Sequence, residues 1–464
     1  MTSPVPELLR DQTSRWLLVG MGITNRSVAA ALVGRGHQVI AVDDSAGSEL
    51  RGTIDALGLD LVESPTESML FDLIEDCEAI VPAPGLPESH AMFRMAGEMG
   101  KPIVGELDLA AVWDRRPVIA ITGTNGKTTV VELVVECLQR TGINAVAAGN
   151  TDVPLVEAIE DDKAGVFVVE ASSFRLAHLS EFKPSVATWI NFAPDHLDVH
   201  ADIHAYESAK ANIWARADHS STSIANVADA TVMAHLPDTG RIQTFGHSDA
   251  DWSVDSEGNL RGPQGPFVAS TDLWRDLPHD VIDALAAAAT SSAAGASVEA
   301  IAAACVDFQG LAHRVAEVAT IDGSVFYDDS KATTPHATVS ALLGFDSAVL
   351  IAGGRNKGID LSTMLEAKDH VSALVAIGES AEQLREIFGP HCDVEIASDM
   401  DDAVKRAARL AKGAVPVLLS PGCASFDSYQ NYGERGDDFS RSVRRLHQTS
   451  AGDGEAIDEC GIAR

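Results

Sequence analysis

The chain has 464 residues, enough for about three domains of ordinary size, and 45% of them are hydrophobic, as globular cores require. Its formal net charge of −34 argues against general binding to nucleic acid or to anionic membranes. The 6 cysteines include no Cys-x-x-Cys pair, so neither a zinc site nor a disulfide framework is expected. No apolar run reaches the roughly 18 residues of a membrane span. Residues 1–15 lack the apolar core of a signal peptide, so the expected location is the cytoplasm.

The first predicted block is a βαβ unit with a dinucleotide-like turn. A strand over Trp16–Val19 leads into the glycine turn 20–22, a helix, and a second strand over His37–Val42 that ends at Asp43. Asn25 replaces the third glycine of the G-x-G-x-x-G fingerprint, which predicts looser packing of the helix on the strand. The block is either an NAD site with Asp43 on a ribose, or a scaffold for another nucleotide or for none.

The most informative segment begins with the apolar strand Val118–Ile121. A turn of sequence Gly-Thr-Asn-Gly-Lys-Thr-Thr follows, and then a helical pattern. In this geometry backbone N–H groups and a helix N-terminus converge on an anion. Lys127 would reach the β- and γ-phosphates of a nucleotide, and the Thr128 hydroxyl would ligate Mg²⁺. The alternative is an ordinary strand-to-helix turn with a surface lysine. The turn comprises Gly123, Thr124, Asn125, Gly126, Lys127, Thr128 and Thr129.

Two later strands of this second block end in groups that bind ligands in other proteins. The strand Val166–Val169 ends in Glu170, and the strand Val186–Asn191 ends near His196. Ligands of parallel α/β sheets bind outside the carboxyl ends of the strands, so both side chains are candidates for a ligand site. The alternatives are a surface carboxylate and a hydrogen-bonded loop histidine.

The rest of the chain is expected to continue the α/β pattern. A helix over 203–217 carries Lys210, residues 237–278 have the composition of an irregular β segment, and the Ala-rich stretch 284–304 predicts a pair of helices. A third block begins near Ala312. Residues 449–464, rich in Gly and Asp, are expected to be disordered. The strands predicted for the third block are Val325–Tyr327, Ala348–Ala352, Leu374–Ile377 and Val415–Leu419, and its predicted helices are 380–388 and 399–412.

Taken in order, the motifs resemble those of the Mur ligase family over nearly the whole chain. They are the turn 123–129, Glu-Ala-Ser-Ser-Phe-Arg-Leu at 170–176, Asp-His-Leu-Asp at 195–198, Asp-Ser-Lys-Ala-Thr at 329–333 and Ser-Pro…Ala-Ser at 420–425. The second and fourth are most similar to those of the member that adds D-glutamate. The resemblance implies an α/β protein of three domains. They are a Rossmann-like domain for a UDP-substrate at 1–113, a central P-loop ATPase-like domain with a parallel sheet at 114–311, and a C-terminal Rossmann-like domain for the incoming amino acid at 312–464.

The reaction implied by the resemblance is ATP-dependent amide formation in peptidoglycan synthesis. ATP phosphorylates the terminal carboxylate of UDP-N-acetylmuramoyl-L-alanine, the amine of D-glutamate attacks the acyl phosphate, and a tetrahedral intermediate expels phosphate. The expected ligands are these two substrates, ATP and two Mg²⁺ ions, with neither nucleic acid nor membrane as a partner, and the protein is expected to be a monomer. Catalytic roles are implied for Lys127, His196, Lys210, His313 and Lys331.

The resemblance also assigns the nucleotide and metal ligands. Thr128 and Glu170 are expected to hold the first Mg²⁺, and His196 the second, together with Lys210 as a carbamate formed with CO₂. The residues alone show only a lysine on a helix at position 210. Arg314 is implied at the γ-phosphate, Asp329 at the ATP ribose and Asp283 at the adenine. The family usually has His-Asn-x-x-Asn where this chain has Asp280 and Asp283, and Asp accepts hydrogen bonds but does not donate them as Asn does.

Two sets of substrate contacts follow from the resemblance. Asp44 and Ser45 stand where some members have Thr-Arg, so this chain lacks a cation that could meet uracil or phosphate. The residues expected at the UDP-substrate are Ile23, Thr24, Asp43, Asp44, Ser45, Asn150, Ser172 and Ser173. Those expected at the amino acid are Lys331, Thr333, Lys357, Ser425, Phe426 and Tyr432.

Three alternatives stay open at the level of the sequence. A ligase that adds another amino acid, or a folylpolyglutamate synthetase, would share the fold and the phosphate loop. An NAD(P)-dependent oxidoreductase would explain the first block but leaves Lys127, Glu170 and Lys210 unexplained. A catalytically inert nucleotide-binding scaffold would not need these residues intact.

Overall fold

The computed structural model describes residues 5–11, 14–151, 153–247 and 249–452, with side chains to residue 448. The chain forms two compact units. The first unit takes in the residues up to 192 together with 196–273 and 281–308, and the second takes in 193–195, 274–280 and the residues from 309 onward. Across the described ranges, no helix combines the length and the apolarity needed to cross a membrane. The predicted α/β class is confirmed, and each predicted block has its own sheet.

The first sheet has four parallel strands in the order β3-β2-β1-β4. Its strands are β1 Arg15–Val19, β2 Gln38–Asp43, β3 Asp60–Glu63 and β4 Ala79–Pro82. The accompanying helices are α1 Val5–Leu8, α2 Ile23–Gly34, α3 Ser48–Leu57, α4 Glu67–Asp76, α5 Ala91–Met99 and α6 Glu106–Trp113. The predicted strand–turn–helix–strand unit is therefore present as β1, α2 and β2.

Asn25 does not loosen the packing of α2, contrary to the prediction. Its side chain is fully buried, and Nδ2 donates to the carbonyls of Gly20 at 2.8 Å and Val81 at 3.1 Å. These carbonyls lie at the carboxyl ends of β1 and β4, so the amide joins the helix to two strands at once. A buried carbonyl without a hydrogen-bond donor costs free energy. The Asn25 amide provides that donor, whereas a glycine has no side chain that could do so.

The second sheet has nine strands in the order β13-β12-β11-β10-β9-β8-β5-β7-β6. The strands from β6 to β11 in this order are parallel, whereas β12 and β13 pair antiparallel and form the predicted irregular β segment. The strands are β5 Val118–Thr122, β6 Ala145–Gly149, β7 Val166–Glu170, β8 Val186–Trp189, β9 Thr222–Asn226, β10 Arg241–Gly246, β11 Trp252–Val254, β12 Asn259–Gly262 and β13 Gly265–Ala269.

The helices of this block begin with α7, which follows the glycine turn directly. The helix predicted over 203–217 is shorter, because α10 ends at Ala211 and a 3₁₀ turn takes over. The helices are α7 Lys127–Arg140, α8 Leu155–Ala158, α9 Ser173–Leu176, α10 Ile203–Ala211, α11 Ala230–Ala234, α12 Pro278–Ala293 and α13 Val298–Asp307, with 3₁₀ turns at Asn212–Trp214 and Ser270–Asp272. The helices α12 and α13 confirm the predicted helix pair.

The central strands of this sheet are buried, which explains why they are near-continuous apolar runs. β5 pairs with β7 on one side, where Ile121 is opposite Glu170, and with β8 on the other, where Thr122 is opposite Trp189. Because all three strands are parallel, the loops that follow them emerge at the same edge of the sheet.

The third sheet, in the second unit, has the order β14-β15-β19-β16-β17-β18, with only β14 antiparallel to its neighbour. Its strands are β14 Ala316–Ile321, β15 Ser324–Asp328, β16 Ala348–Gly353, β17 Val371–Ile377, β18 Asp393–Ile396 and β19 Val417–Leu419. Its helices are α14 Pro335–Leu342, α15 Ala381–Phe388, α16 Met400–Ala411 and α17 Tyr432–Gly452, with a 3₁₀ segment at Leu361–His370.

The disorder predicted from residue 449 is wrong for its first residues, since α17 continues through 449–452. Its apolar positions Phe439 and Val443 are buried in the core on one face of the third sheet. Residues 453–464 lie outside the described residues.

We expect Asn25→Ala to lower the free energy of unfolding by about 1–3 kcal/mol, because two carbonyls at strand ends lose a buried donor. Chemical denaturation of the first cooperative transition measures this. Ser68→Ala, an exposed polar-to-alanine change on α4, is the control and should stay within about 0.5 kcal/mol of the unchanged protein. Equal stability of the two variants would contradict the role assigned to Asn25.

Candidate active site

The predicted phosphate loop is the turn between β5 and α7. Gly126 has a φ of 82°, in the left-handed region, and a Cβ there would lie 2.3 Å from Asp283 Oδ1. Only glycine fits this position without displacing the carboxylate. The Lys127 ammonium donates to the carbonyls of Gly123 and Thr124, both at 2.9 Å. The lysine therefore lies over the loop at the N-terminus of α7, where a phosphate would meet it.

Asn191, which sequence analysis did not place in the site, holds this loop in shape. Its Oδ1 accepts from the backbone N–H groups of Thr124 and Asn125, each at 2.9 Å, and its Nδ2 donates to the Asn125 carbonyl at 3.2 Å. The Thr124 hydroxyl lies 3.1 Å from that of Tyr206. The signal for Asn191 in the sequence is its position two residues after the end of a buried strand, at the edge where ligands bind.

Glu170 and Thr128 meet, as predicted for the metal site. The Thr128 hydroxyl donates to Glu170 Oε2 at 2.7 Å, and Asn150 Nδ2 donates to Glu170 Oε1 at 3.0 Å. The Glu170 side chain is buried at the end of β7. The pKa of Glu132 on α7 is raised, mainly by the burial of Glu132 and further by the negative charge of Glu170. Thr129 is buried one residue further along α7.

Lys210 is brought to the same loop from α10. Its side chain is 1% exposed, and Nζ donates to the Gly123 carbonyl at 2.7 Å and lies 4.8 Å from the centre of the Tyr206 ring. The ammonium groups of Lys127 and Lys210 thus share one carbonyl acceptor. Lys210 is therefore a buried lysine and not a solvated one on the surface of its helix.

His196 has a left-handed backbone, with a φ of 55°, and its ring packs edge-on against Phe174 with ring centres 4.6 Å apart. His313, the other histidine predicted to be catalytic, also has a left-handed backbone, with a φ of 61°. Non-glycine residues in this region are uncommon and cluster at functional sites. His313 Nδ1 lies 2.7 Å from Asp328 Oδ2 in the second unit.

Asp280 and Asp283, which stand where the family usually has Asn, lie in different surroundings. Asp280 is buried and receives a two-point hydrogen bond from Arg275, at 2.9 and 2.8 Å. Arg275 also donates to the carbonyls of Arg314 and Val315. Asp283 instead lies against Gly126 of the phosphate loop. The first aspartate is thus neutralised by a partner that sequence analysis missed, and the second is at the predicted nucleotide site.

The residues predicted to bind uridine surround the carboxyl ends of β1 and β2. Asp43 accepts from the backbone N–H groups of Met21 at 2.7 Å and Ser45 at 2.9 Å, so both its oxygens are engaged. Asp44 lies 3.7 Å from the ring of His90, and the side chain of Ile23 is exposed. The Ile23 side chain therefore faces solvent at this end of the sheet.

Thr24 and the pair Ser172 and Ser173 belong to a buried polar network. The Thr24 hydroxyl accepts from Arg175 at 2.9 Å, and Arg175 forms a 2.6 Å ion pair with the buried Glu106. Ser172 Oγ is buried and has no hydrogen-bond partner among the described residues. An unpartnered buried hydroxyl at a helix N-terminus fits a ligand oxygen.

Ser173 is joined to a histidine and a carboxylate that sequence analysis did not select. His200 lies 2.9 Å from Ser173 Oγ through Nε2 and 2.8 Å from Glu88 Oε1 through Nδ1. The backbone N–H of Ala201 donates to Glu88 Oε2 at 2.9 Å. Glu88 therefore fastens the loop after His196 to the segment that follows β4.

In the second unit, the residues predicted at the amino acid lie on loops after β15, β16 and β19, apart from Tyr432 at the start of α17. Lys331 Nζ is 3.9 Å from the centre of the Tyr432 ring, and Lys357 donates to Asp195 at 2.9 Å. Thr333 is half-buried. Ser425 is buried, while Phe426 is 61% exposed. The two ammonium groups and the Ser425 loop belong to one compact unit, which fits a common role.

Asp329, predicted at the ribose, is buried and accepts from the Ser420 hydroxyl at 2.7 Å. Burial, helped by the charge of Asp328, outweighs the Ser420 hydrogen bond and raises the pKa of Asp329 to about 7. Arg314 is half-buried within the same unit, and its positive charge lowers the Asp329 pKa.

The fit of Mg²⁺ to the first unit rests on oxygen donors. The described residues contain no cluster of three His, Cys, Asp or Glu side chains that could hold a metal by themselves. Mg²⁺ is, however, usually held by one or two protein oxygens together with phosphate and water. The contact between the Thr128 hydroxyl and the Glu170 carboxylate beside the phosphate loop provides such a pair.

Comparisons with known proteins agree with this geometry. The family model of the Mur ligase middle domain matches residues 121–267, and that of the Mur ligase, glutamate ligase domain matches residues 313–423. The chain is 38% identical to UDP-N-acetylmuramoylalanine–D-glutamate ligase from Frankia casuarinae, over 92% of this chain and 93% of the relative. It is 35% identical to the protein of that name from Desulfosudis oleivorans, over 95% and 98%.

Solved structures resemble the fold at low sequence identity. UDP-N-acetylmuramate-alanine ligase from Thermotoga maritima has a TM-score of 0.56 at 17% identity, covering 94% of this chain and 99% of that one. MurF from Acinetobacter baumannii has a TM-score of 0.56 at 18% identity, covering 95% and 93%. These likenesses concern the fold alone, whereas the sequence relatives extend over almost the full length of both chains. The chain belongs to the Mur ligase family.

Proposed function

We propose that this protein is the ATP-dependent ligase that adds D-glutamate to UDP-N-acetylmuramoyl-L-alanine in peptidoglycan synthesis, releasing ADP and phosphate. One observation supports this chemistry most directly. Lys127 and Lys210 both donate to the Gly123 carbonyl of the predicted phosphate loop, and Thr128 of the same loop donates to Glu170. The choice of D-glutamate is supported by the relatives at 38% and 35% identity, both named for that reaction. We infer one domain per sheet, with boundaries at 1–113, 114–311 and 312–464.

A carboxylate is a poor acyl donor, so ATP must phosphorylate it first. In the proposed reaction, the first unit binds ATP for this step. Phosphoryl transfer depends mostly on positioning and on neutralising charge on the phosphate oxygens. Lys127 at the N-terminus of α7 supplies a cation and a helix dipole for the β- and γ-phosphates. Asp283 beside Gly126 would accept a hydrogen bond from the adenine amino group.

Thr128 and Glu170 would hold one Mg²⁺, and His196 with Lys210 a second. A bound Mg²⁺ supplies positive charge that stabilises the transferring phosphoryl group. Asn150 keeps Glu170 in place by donating to its other carboxylate oxygen. His196 is held against Phe174, so its ring has a fixed direction.

Lys210 would serve a metal only after a change of charge, because an ammonium does not bind a cation. To form the proposed carbamate, the Lys210 ammonium first loses a proton to solvent, and the amine nitrogen then attacks the carbon of CO₂. A C–N bond forms as the π electrons of one C=O bond move to oxygen, and a second proton passes from nitrogen to solvent. The product is an anion with two oxygen donors. Burial of Lys210 beside Lys127 supports this, because two ammonium groups on one carbonyl repel each other, whereas an ammonium and a carbamate attract.

D-Glutamate brings two carboxylates and an amine to the second unit. Lys331 and Lys357, with the hydroxyls of Thr333 and Ser425, suit this charge pattern. Lys357 has Asp195 as a partner at 2.9 Å, which fixes the position of the ammonium. Lys331 lies over the Tyr432 ring, which restricts it in the same way.

Phosphate release from Mg-ATP and UDP-N-acetylmuramoyl-L-alanine, across a panel of amino acids, tests the function. We expect release with D-glutamate and none above background with L-glutamate, L-alanine or meso-diaminopimelate. Release with another member of the panel would leave the phosphate chemistry intact and overturn the amino-acid assignment. Release only when a folate replaces the UDP-substrate would favour the polyglutamylating alternative.

We expect Lys127→Ala to lower kcat by at least ~100-fold, because the phosphates lose their main cation. Steady-state kinetics measure this, and an unchanged thermal unfolding curve shows that the fold is kept. Lys163→Ala, which removes an exposed lysine, is the matched control and should be fully active. Normal turnover of Lys127→Ala would sink the phosphate-loop assignment.

We expect Lys210→Ala to be nearly inactive and to regain part of its activity with added formate or acetate, which replace the carboxylate of the carbamate. With ¹³C-bicarbonate, the unchanged protein should show a carbamate carbon signal in NMR that the variant lacks. A variant with wild-type activity, or an unchanged protein without the signal, would rule out the carbamate.

A further inference from the structure

Arg435, in the first turn of α17, is a buried guanidinium that joins two of the loops named above. Its side chain is 1% exposed. Nε donates to Ser330 Oγ at 2.9 Å and Nη2 to the Ser330 carbonyl at 2.7 Å, while Nη1 donates to the Cys423 carbonyl at 3.0 Å. One planar group thus fixes the loop after β15 against the loop after β19.

The loop after β16 closes on the same guanidinium. Gly354 has a φ of 133°, and a Cβ there would lie 3.3 Å from Arg435 Nη1 and 2.3 Å from the Ala424 carbonyl. No side chain fits between this loop and the guanidinium. Ser330 Oγ also donates to the Tyr432 carbonyl at 2.7 Å, which connects the start of α17 to the same centre.

Every predicted amino-acid contact lies on one of these three loops, except Tyr432, which begins α17. Ser330 is followed directly by Lys331, Gly354 comes three residues before Lys357, and Cys423 two residues before Ser425. A shift of the guanidinium would therefore displace the groups on all three loops together.

The charge of Arg435 is the second part of the observation. All three groups that accept its hydrogen bonds are neutral oxygens, so none of them cancels the positive charge. Burial outweighs the opposing effects of the nearby Cys423, Asp427, Tyr429 and Asp328 and lowers the pKa of Arg435 to about 10, so the side chain remains protonated near neutral pH. A fixed charge in a poorly solvated place acts over a longer distance than an exposed one.

We propose that Arg435 is the positioning residue of the amino-acid site: it holds the three loops in register and supplies a buried positive charge that favours an amino acid with two carboxylates. This inference rests on the proposed function. Because Arg435 is covered by the loops, it acts through Lys331, Lys357 and Ser425 and not by contact with the amino acid.

Four variants test the proposal in the full chain, with KM measured separately for D-glutamate, ATP and the UDP-substrate. Arg435→Met removes the charge and should raise KM for D-glutamate at least 10-fold while the other two KM values stay within two-fold. Arg435→Lys keeps the charge but not the planar fork, and should recover part of that loss. Ser330→Ala removes one acceptor and should raise KM for D-glutamate a few-fold. Arg444→Met, an exposed change on the same helix, should match the unchanged protein.

The outcomes separate the two proposals. An unchanged protein that does not use D-glutamate contradicts the proposed function, whatever the variants do. An active unchanged protein with a folded Arg435→Met variant whose KM for D-glutamate is within two-fold contradicts the role of Arg435, as does a parallel rise of all three KM values. If Arg435→Met does not fold, Ser330→Ala decides, and an unchanged KM for D-glutamate in that variant overturns the proposal.

Discussion

Parallel pairing of β5 between β7 and β8 is the constraint on which the predicted phosphate site depends. It fixes Ile121 opposite Glu170 and Thr122 opposite Trp189, so the loops after the three strands begin side by side. The glycine turn, the carboxylate of Glu170 and the amide of Asn191 are then neighbours by register, without any further element to bring them together. Lys210 is added by α10, which packs its buried ammonium onto the same turn.

Under the proposed function, this strongly negative chain would meet its anionic ligands through a few individual cations. Lys127 lies at the turn after β5 in the first unit, and Lys331, Lys357 and Arg435 lie on or under three loops of the second. Local placement explains how a chain of net charge −34 can belong to a family that binds nucleotides.

The sequence was most informative where one short segment contains most of the residues of a structural motif. The turn 123–129 includes its own glycines, lysine and threonine, and the predicted order of strand, turn and helix is confirmed because β5 and α7 directly flank the turn. Most strand ends were predicted to within one residue for a similar reason, since apolar runs stop where the buried sheet stops. An exception is β8, which ends at Trp189 and not at the predicted Asn191. The prediction for Asn25 was wrong because its side chain bonds the carbonyl of Val81, 56 residues away, which no local fingerprint contains.

Partners that are distant in the chain account for the other residues that sequence analysis missed. Asn191 acts on a loop 66 residues earlier, and His200 bonds a glutamate 112 residues earlier. Arg275 explains why an aspartate is stable at position 280, and only the structure shows the two-point contact between them. Spacing rules describe neighbours on one helix or strand, and these pairs belong to different elements.

The position of Arg435 in the chain also sets an order of assembly during synthesis. The loop after β15 and the loop after β19 both receive hydrogen bonds from this guanidinium, and Ser330 precedes it by 105 residues. A nascent chain that already contains the whole first unit and most of the third sheet still lacks the group that sets these loops. The phosphate loop can therefore take its final form while the chain is still on the ribosome, whereas the loops of the second unit are completed only after α17 has emerged.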